Sequence, residues 1–126
     1  MKTIIQTPKA PTPIGPYNQA ILVDNTLYAS GQIALDPKTM ELVNRDIETE
    51  TNQVMKNLSE VLKAAGMDFV DVVKATIFLY DMGDFAKVNK VYGGYFDHKV
   101  APARETVQVT ALPKNVRVEI SVIAIR

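Results

Sequence analysis

The chain has 126 residues, of which 47% are hydrophobic and 22% charged, a composition typical of a globular protein with a single domain. Its 14 basic and 14 acidic side chains cancel, which argues against duplex nucleic acid as the main partner, since phosphate binding depends on a cationic surface. The absence of cysteine excludes disulfides and thiolate chemistry, and the single histidine, His98, leaves almost nothing for a zinc site. Neither a signal peptide nor a membrane span is apparent, so we expect a cytoplasmic protein.

The first third of the chain predicts short strands around a stiff segment. Residues 2–7 predict an edge strand, and residues 8–16 hold four of the seven prolines and predict irregular structure. Residues 19–23 and 26–30 predict a hairpin whose two-residue turn is Asp24-Asn25. Gly31 then predicts a bulge, beyond which residues 32–35 continue the strand.

The middle of the chain predicts two helices separated by a strand. A helix over residues 46–65 carries an apolar stripe and ends at Gly66, and residues 70–80 predict a central strand because both of its faces are apolar. A second helix begins at Asp84, a good N-cap, and contains an unusual Gly93-Gly94 pair. His98 lies near its carboxyl end, where a cation suits the helix dipole.

Two strands, residues 101–109 and 116–122, complete the chain. Two β–helix–β crossovers predict parallel strand pairs and the hairpins predict antiparallel ones, which gives a mixed α+β sheet with both helices on one face. The other face is then uncovered. Because a wide apolar surface is unfavourable in water, we expect another chain to cover it.

Alternation along the last two strands suggests where the chemistry lies. It places Ala103 and Val107 in the core, and Arg104 and Glu119 on the helix-free face. An arginine that binds a carboxylate and an acid that handles a proton suit an enzyme acting on a small acid. If the two strands pair directly, however, Glu119 lies near Thr110, roughly 20 Å from Arg104. The two share a pocket only if another strand intervenes or neighbouring chains contribute.

Each candidate residue also has a purely structural interpretation. Arg104 and Glu119 together suit an interface ion pair. The others suit packing or surface roles: Tyr17 and Phe85 as packed aromatic rings, Ser30-Gly31 as a bulge, and Asn89 as polar surface. Gly31 nevertheless allows a ligand to approach the backbone closely.

Several short segments, in order and spacing, resemble the RidA family (reactive intermediate deaminase A, also called the YjgF family). The matching segments are residues 14–17, 30–33 with 36–37, 84–86 with 88–89, 102–104, 112–113 and 118–120. They span nearly the whole chain, and together they are highly specific.

The resemblance implies a chorismate-mutase-like α+β fold and a homotrimer. In that family the helix-free sheet faces pack around the threefold axis, and three clefts form between subunits. The implied activity is hydrolysis of reactive 2-imino acids and their enamine tautomers, such as 2-iminobutanoate, to 2-oxo acids and ammonia. The resemblance implies no metal and no organic cofactor.

The resemblance also implies roles for individual residues. Arg104 binds the substrate carboxylate, Glu119 positions or activates the attacking water, and Tyr17 lies at the cleft. The implied lining residues are Ser30, Gly31 with its backbone N–H, Phe85, Asn89 and Thr106. Thr106 departs from the family, since many members have cysteine there, and it leaves thiol-based redox behaviour without support.

Two other functions stay open. One is a non-catalytic regulatory trimer that binds small carboxylates in the same cleft, an alternative that Thr106 favours. The other is an endoribonuclease or translation inhibitor. Zero net charge, one histidine and the lack of a basic-aromatic stripe argue against it.

Overall fold

The computed structural model describes all 126 residues, which form six strands and two α-helices. In chain order the elements are β1 (Lys2–Ile5), β2 (Ala20–Val23), β3 (Thr26–Ala29), α1 (Ile47–Ala64), β4 (Val72–Leu79), α2 (Phe85–Gly93), β5 (Ala103–Gln108) and β6 (Val118–Ile125). Both helices lie on one face of the sheet, and the predicted α+β class is confirmed.

The sheet has the strand order β1-β2-β3-β6-β4-β5. Only β4 and β5 form a parallel pair, and all other neighbours are antiparallel. The prediction of parallel pairs from both crossovers is therefore wrong for the first one: β3 and β4 run in the same direction, but β6 lies between them. The last two strands do not pair directly, because β4 lies between β6 and β5.

The sequence determines where helix α1 begins, where it ends and which side of it is buried. The Asp46 side chain accepts a hydrogen bond from the backbone N–H of Thr49 at 2.7 Å, and the chain leaves the helix through Gly66, whose φ is +71°. Its apolar stripe is fully buried against the sheet and α2. The stripe consists of Ile47, Val54, Leu58, Val61 and Ala65, with Met55 and Leu62 beside it. This packing forms most of the core.

Helix α2 is shorter than predicted. Asp84 precedes it but makes no capping hydrogen bond with its side chain, and the helix ends at Gly93, with Gly94 as the C-cap residue. The glycine pair therefore terminates the helix. A ring nitrogen of His98 lies 3.2 Å from the carbonyl oxygen of Gly93, which agrees with the predicted position of this histidine at the helix end.

The helix-free face of the sheet is apolar and open. The register brings Tyr28 on β3 beside Ile123 on β6, so both project from this face. Five large apolar side chains on it are between 36% and 50% exposed: Ile4, Val23, Tyr28, Val107 and Ile125. A surface of this kind is typical of a contact with another chain. No helix in the protein combines the length and apolar character needed to cross a bilayer.

Candidate active site

A cavity of about 410 Å³ opens beside Glu119. Its walls come from the proline-rich segment before β2, the loop after β3 and Pro113. Four of the predicted site residues line it together: Tyr17, Ser30, Gly31 and Glu119. These four residues are thus brought together within one chain.

Glu119 projects from the helix-free face of β6, opposite Phe78 on β4. Burial raises the pKa of its carboxyl group, because the charged form loses solvation. The side chain takes part in neither a hydrogen bond nor an ion pair within the chain. A carboxyl group in this state suits both accepting and returning a proton.

Gly31 allows the Glu119 carboxyl group to lie directly against the backbone. A Cβ atom added at residue 31 would lie 2.3 Å from Oε2 and 2.8 Å from Cδ of Glu119, distances that real Cβ atoms essentially never show. The backbone N–H of Gly31 makes no hydrogen bond within the chain. The predicted continuation of the strand over residues 32–35 is reduced to isolated bridges, one of which joins Gln32 to Ile120 and holds this loop against β6.

The side chain of Gln19 also lines the cavity and was missed from the sequence. Its buried amide accepts a hydrogen bond from the N–H of Thr7 at 2.7 Å and donates to the carbonyl oxygens of Thr7, Ala10 and Pro11 at 2.9 to 3.2 Å. One side chain thereby satisfies the backbone of the proline-rich segment. A polar amide between that segment and an apolar strand was the only available signal.

The hydroxyl groups of Tyr17 and Ser30 differ in how strongly they are hydrogen-bonded within the chain. The Ser30 hydroxyl donates to the carbonyl oxygen of Asn18 at 2.6 Å, so it holds the loop in place. The Tyr17 side chain is 48% exposed, and its hydroxyl accepts only a long hydrogen bond, 3.5 Å, from the N–H of Ile14. The tyrosine therefore keeps a hydroxyl available at the mouth of the cavity.

A second group of predicted residues surrounds Arg104 at the free edge of β5. The Nη1 atom of Arg104 donates to Oδ1 of Asn89 on α2 at 2.6 Å. Its guanidinium carbon lies 5.6 Å from the ring centroid of Phe85 and 5.1 Å from that of Tyr92, within the range of cation–π attraction. These contacts orient the guanidinium, and the residue remains exposed.

The prediction that Arg104 projects from the helix-free face is wrong. In the parallel register Arg104 stands beside Ala75, a core residue, so it lies on the same face as α2, whereas Val107 lies on the open face. The alternation was misread because β5 is an edge strand with polar residues on both faces. The open face also carries the apolar residues that a core normally attracts.

Thr106 lies on the same side of β5 as Arg104, beside Ile77 of β4. Its hydroxyl and that of Tyr92 are both buried without a hydrogen-bond partner. Burial raises the pKa of Tyr92, and the positive charge of Arg104 opposes that rise. These two buried hydroxyl groups thus have unused hydrogen-bonding capacity near the residues that surround Arg104.

The two groups of residues do not meet within one chain. Glu119 stands beside Phe78, and Phe78 stands beside Val107, three residues from Arg104. The backbones of Glu119 and Arg104 are therefore roughly 14 Å apart, and their side chains leave opposite faces of the sheet. The intervening strand β4 does not bring them together. No ion pair joins Arg104 and Glu119 within the chain, and an interface ion pair between copies stays an alternative.

No group of three or more His, Asp or Glu side chains is arranged to hold a metal ion. The arrangement offers instead a guanidinium that can bind a carboxylate through two hydrogen bonds, a carboxyl group with a raised pKa and an unpaired backbone N–H. Such groups suit binding a small acid and moving a proton on it.

Comparison with known proteins identifies the family. A family model described as endoribonuclease L-PSP matches residues 7–126. The human 2-iminobutanoate/2-iminopropanoate deaminase is 50% identical over 126 residues, covering 100% of this chain and 91% of that protein. A Rid family protein of unknown function from Yersinia pestis, YyfA, is 48% identical with a TM-score of 0.96, and all of both chains is covered. E. coli TdcF with bound serine is 40% identical with a TM-score of 0.92, and 98% of each chain is covered.

These matches extend over essentially the whole chain, and the segments that carried the resemblance hold the cavity and the arginine cluster described above. The chain belongs to the RidA family, also called the YjgF family.

Proposed function

We propose that this protein is a deaminase that hydrolyses reactive 2-imino acids and their enamine tautomers, such as 2-iminobutanoate, to 2-oxo acids and ammonia. Relatives about 50% identical over the full chain carry the name 2-iminobutanoate/2-iminopropanoate deaminase. The observation that carries the proposal is the presence of two complementary groups: an oriented guanidinium for the substrate carboxylate and a half-buried carboxyl group for the proton transfers.

We place the complete site between copies of the chain, in a homotrimer. Arg104 and Glu119 leave opposite faces of one sheet, so a second copy must supply the missing half. The open apolar face around Tyr28 and Ile123 provides the surface on which copies associate. In this arrangement β5 and α2 of one copy close the Glu119 cavity of the next.

The proposed reaction needs orientation, water and proton transfer. Arg104 binds the carboxylate of the protonated imine through two hydrogen bonds and thereby fixes the position of its electrophilic carbon. Ionised Glu119 takes a proton from a water molecule as the water oxygen bonds to that carbon. The proton then passes from Glu119 to the nitrogen. As the C–N bond breaks and ammonia leaves, Glu119 takes the remaining hydroxyl proton, and the carbon retains the oxygen as a carbonyl group.

The remaining residues take supporting roles in this proposal. Tyr17 and the N–H of Gly31 donate hydrogen bonds to the substrate or water. The other lining residues shape the cleft: Ser30 by holding the loop, Phe85 and Asn89 by orienting Arg104, and Thr106 by offering its hydroxyl beside the carboxylate. Threonine in place of the common cysteine keeps a hydrogen-bonding group without a nucleophilic thiol.

A regulatory trimer without catalysis is the second candidate, because Thr106 replaces a residue common in the family and the same cleft would bind small carboxylates. Hydrolysis of RNA is less favoured, since the net charge is zero and the single histidine caps α2 outside the cavity. The proposed location is the cytoplasm, because a chain without cysteine needs no oxidising compartment.

The direct test generates 2-iminobutanoate with threonine dehydratase and traps it with semicarbazide. A deaminase lowers the amount of trapped imine, and a protein that only binds carboxylates does not. The Arg104→Ala variant should lose this effect while its size in solution is unchanged. Arg45→Ala is the matched control, because Arg45 is an exposed arginine whose ion pair with Asp46 adds little stability. Parent-like activity in Arg104→Ala would contradict the assigned role.

A further inference from the structure

Glu50 is a wholly buried carboxylate that the proposed reaction does not use. It lies in the first turn of α1 and is 0% exposed. The backbone N–H of Arg117 donates to its Oε2 at 2.8 Å, and Nε of the same arginine donates to its Oε1 at 2.7 Å. Nη2 of Arg117 donates in turn to the carbonyl oxygen of Asn44 at 2.9 Å. The pair therefore fastens the start of β6 to α1 and to the segment before it.

Stability is a weak reason to bury this pair. A buried ion pair contributes little beyond what well-packed apolar side chains of similar volume would contribute, whereas it does define geometry. One of the two bonds ends on the backbone N–H of Arg117, so Glu50 locates the main chain of the strand as well as a side chain.

The anchored position lies two residues before Glu119. The carbonyl oxygen of Arg117 also accepts a hydrogen bond from the N–H of Tyr80 at 3.0 Å. On the other side of Glu119, Ile120 exchanges two backbone hydrogen bonds with Gln32, at 2.8 and 3.2 Å. Glu119 is thus held between two fixed backbone positions, and Glu50 secures one of them.

Because the Glu119 carboxyl group is tightly packed, the contact between Glu50 and Arg117 is expected to affect the rate of the proposed reaction. The group lies against the backbone of Gly31 with no room for a methyl group between them. A shift of β6 would change its distance to that backbone and to a bound substrate. Misplacement of a reacting group by about 1 Å costs on the order of a hundredfold in rate.

Glu50 also forms an ion pair with Arg117, the positively charged residue closest to Glu119 in the sequence. Residues two apart on a strand are separated by roughly 6.6 Å along the backbone. Tyr17 is the other titratable side chain lining the cavity, and on the facing strand the nearest charged group on that face is Lys74, which pairs with Glu105 at 2.9 Å. With Arg117 held by Glu50, burial sets the environment of the Glu119 carboxyl group.

We infer that Glu50 is a positioning residue for Glu119: it holds the start of β6 and the Arg117 guanidinium so that the Glu119 carboxyl group stays against Gly31 without a cationic partner. This inference rests on the proposed deaminase function, since it concerns the residue that moves the proton.

The test compares Glu50→Gln with Glu48→Gln, which removes the same charge from an exposed position two residues earlier in α1. In the semicarbazide assay, kcat of Glu50→Gln should fall roughly ten- to a hundredfold. Its KM should stay within about twofold, because Arg104 still binds the carboxylate. The acid limb of its pH–rate profile should move to lower pH, since the released guanidinium favours ionised Glu119. Glu48→Gln should match the parent.

A carboxyl ¹³C titration of Glu119 supplies a readout that does not depend on activity. Folded Glu50→Gln with an unchanged kcat and an unchanged Glu119 titration would overturn the inference and leave the proposed function intact. A parent protein without activity would overturn the proposed function instead. If Glu50→Gln does not fold, Arg117→Lys keeps the charge and the backbone bond but loses the bond to Asn44. Its kcat should then fall with no loss of the folded state, and an unchanged kcat would overturn the inference.

Discussion

The cavity beside Glu119 and the cluster around Arg104 differ in burial and in the contacts that hold the two side chains. Glu119 lies in a walled cavity, half-buried, with backbone hydrogen bonds fixing the strand on both sides of it. Arg104 stands at the open edge of the sheet, exposed and held by one hydrogen bond and two aromatic rings. Proton transfer near neutral pH benefits from desolvation, whereas capture of a carboxylate benefits from an accessible cation. The chain keeps the two environments apart, and the proposed trimer joins them.

The largest expected effect comes from breaking the contact between copies. Tyr28→Glu places a charge on the open apolar face, where burying an unpaired carboxylate is strongly unfavourable. We expect monomers by light scattering and no measurable deaminase activity, because every cleft is lost at once. Val70→Glu is the matched control, since Val70 is 79% exposed and lies before β4, outside the open face. A monomeric Tyr28→Glu with parental activity would show that one chain suffices.

A smaller loss of activity is expected from a change that disturbs only the cavity beside Glu119. In Gly31→Ala the added methyl group displaces the Glu119 carboxyl group, so kcat should fall roughly ten- to a hundredfold with the assembly intact. Gly15→Ala is the control, because its Cβ would meet only the Tyr17 ring at 3.6 Å, an ordinary contact. Equal activities of the two variants would mean that the position of Glu119 against the loop does not matter.

The smallest effect concerns stability and follows from the raised pKa of Glu119. Because this pKa is higher in the folded than in the unfolded chain, the favourable contribution of protonated Glu119 is complete at low pH and is lost as pH rises through the folded-state pKa. Glu119→Gln cannot ionise, so its Tm should exceed that of the parent at pH 8. The difference should disappear at pH 4, as thermal melts in matched buffers would reveal. A lower Tm for the variant at pH 8 would contradict a carboxyl group destabilised by burial.

Local patterns predicted the elements of the fold but not their arrangement. Periodicity located α1 and both central strands, since each carries a regular apolar face. The insertion of β6 between β3 and β4 depends on contacts between distant parts of the chain, which no local pattern encodes. The face of Arg104 was misassigned for a related reason: residues that will contact another copy follow the pattern of a core.

The sequence suggested which residues form the site, but it left open how they are arranged. Short segments identified Tyr17, Gly31, Arg104 and Glu119, and the structure divides them between a cavity and an edge. Gln19 and Glu50 were missed because their roles depend on buried hydrogen bonds to backbone far away in the sequence. Such partners become visible only once the chain is folded.

Complementation between two inactive variants tests the central claim most directly. Arg104→Ala and Glu119→Gln are each expected to be inactive, and they are unfolded together, refolded as a mixture and assayed. If each site takes Arg104 from one copy and Glu119 from the next, about one quarter of the sites in a random equal mixture regain both groups, and a corresponding fraction of parental activity returns. If the mixture stays as inactive as the separate variants, while the parent refolds to full activity, sites shared between copies are contradicted.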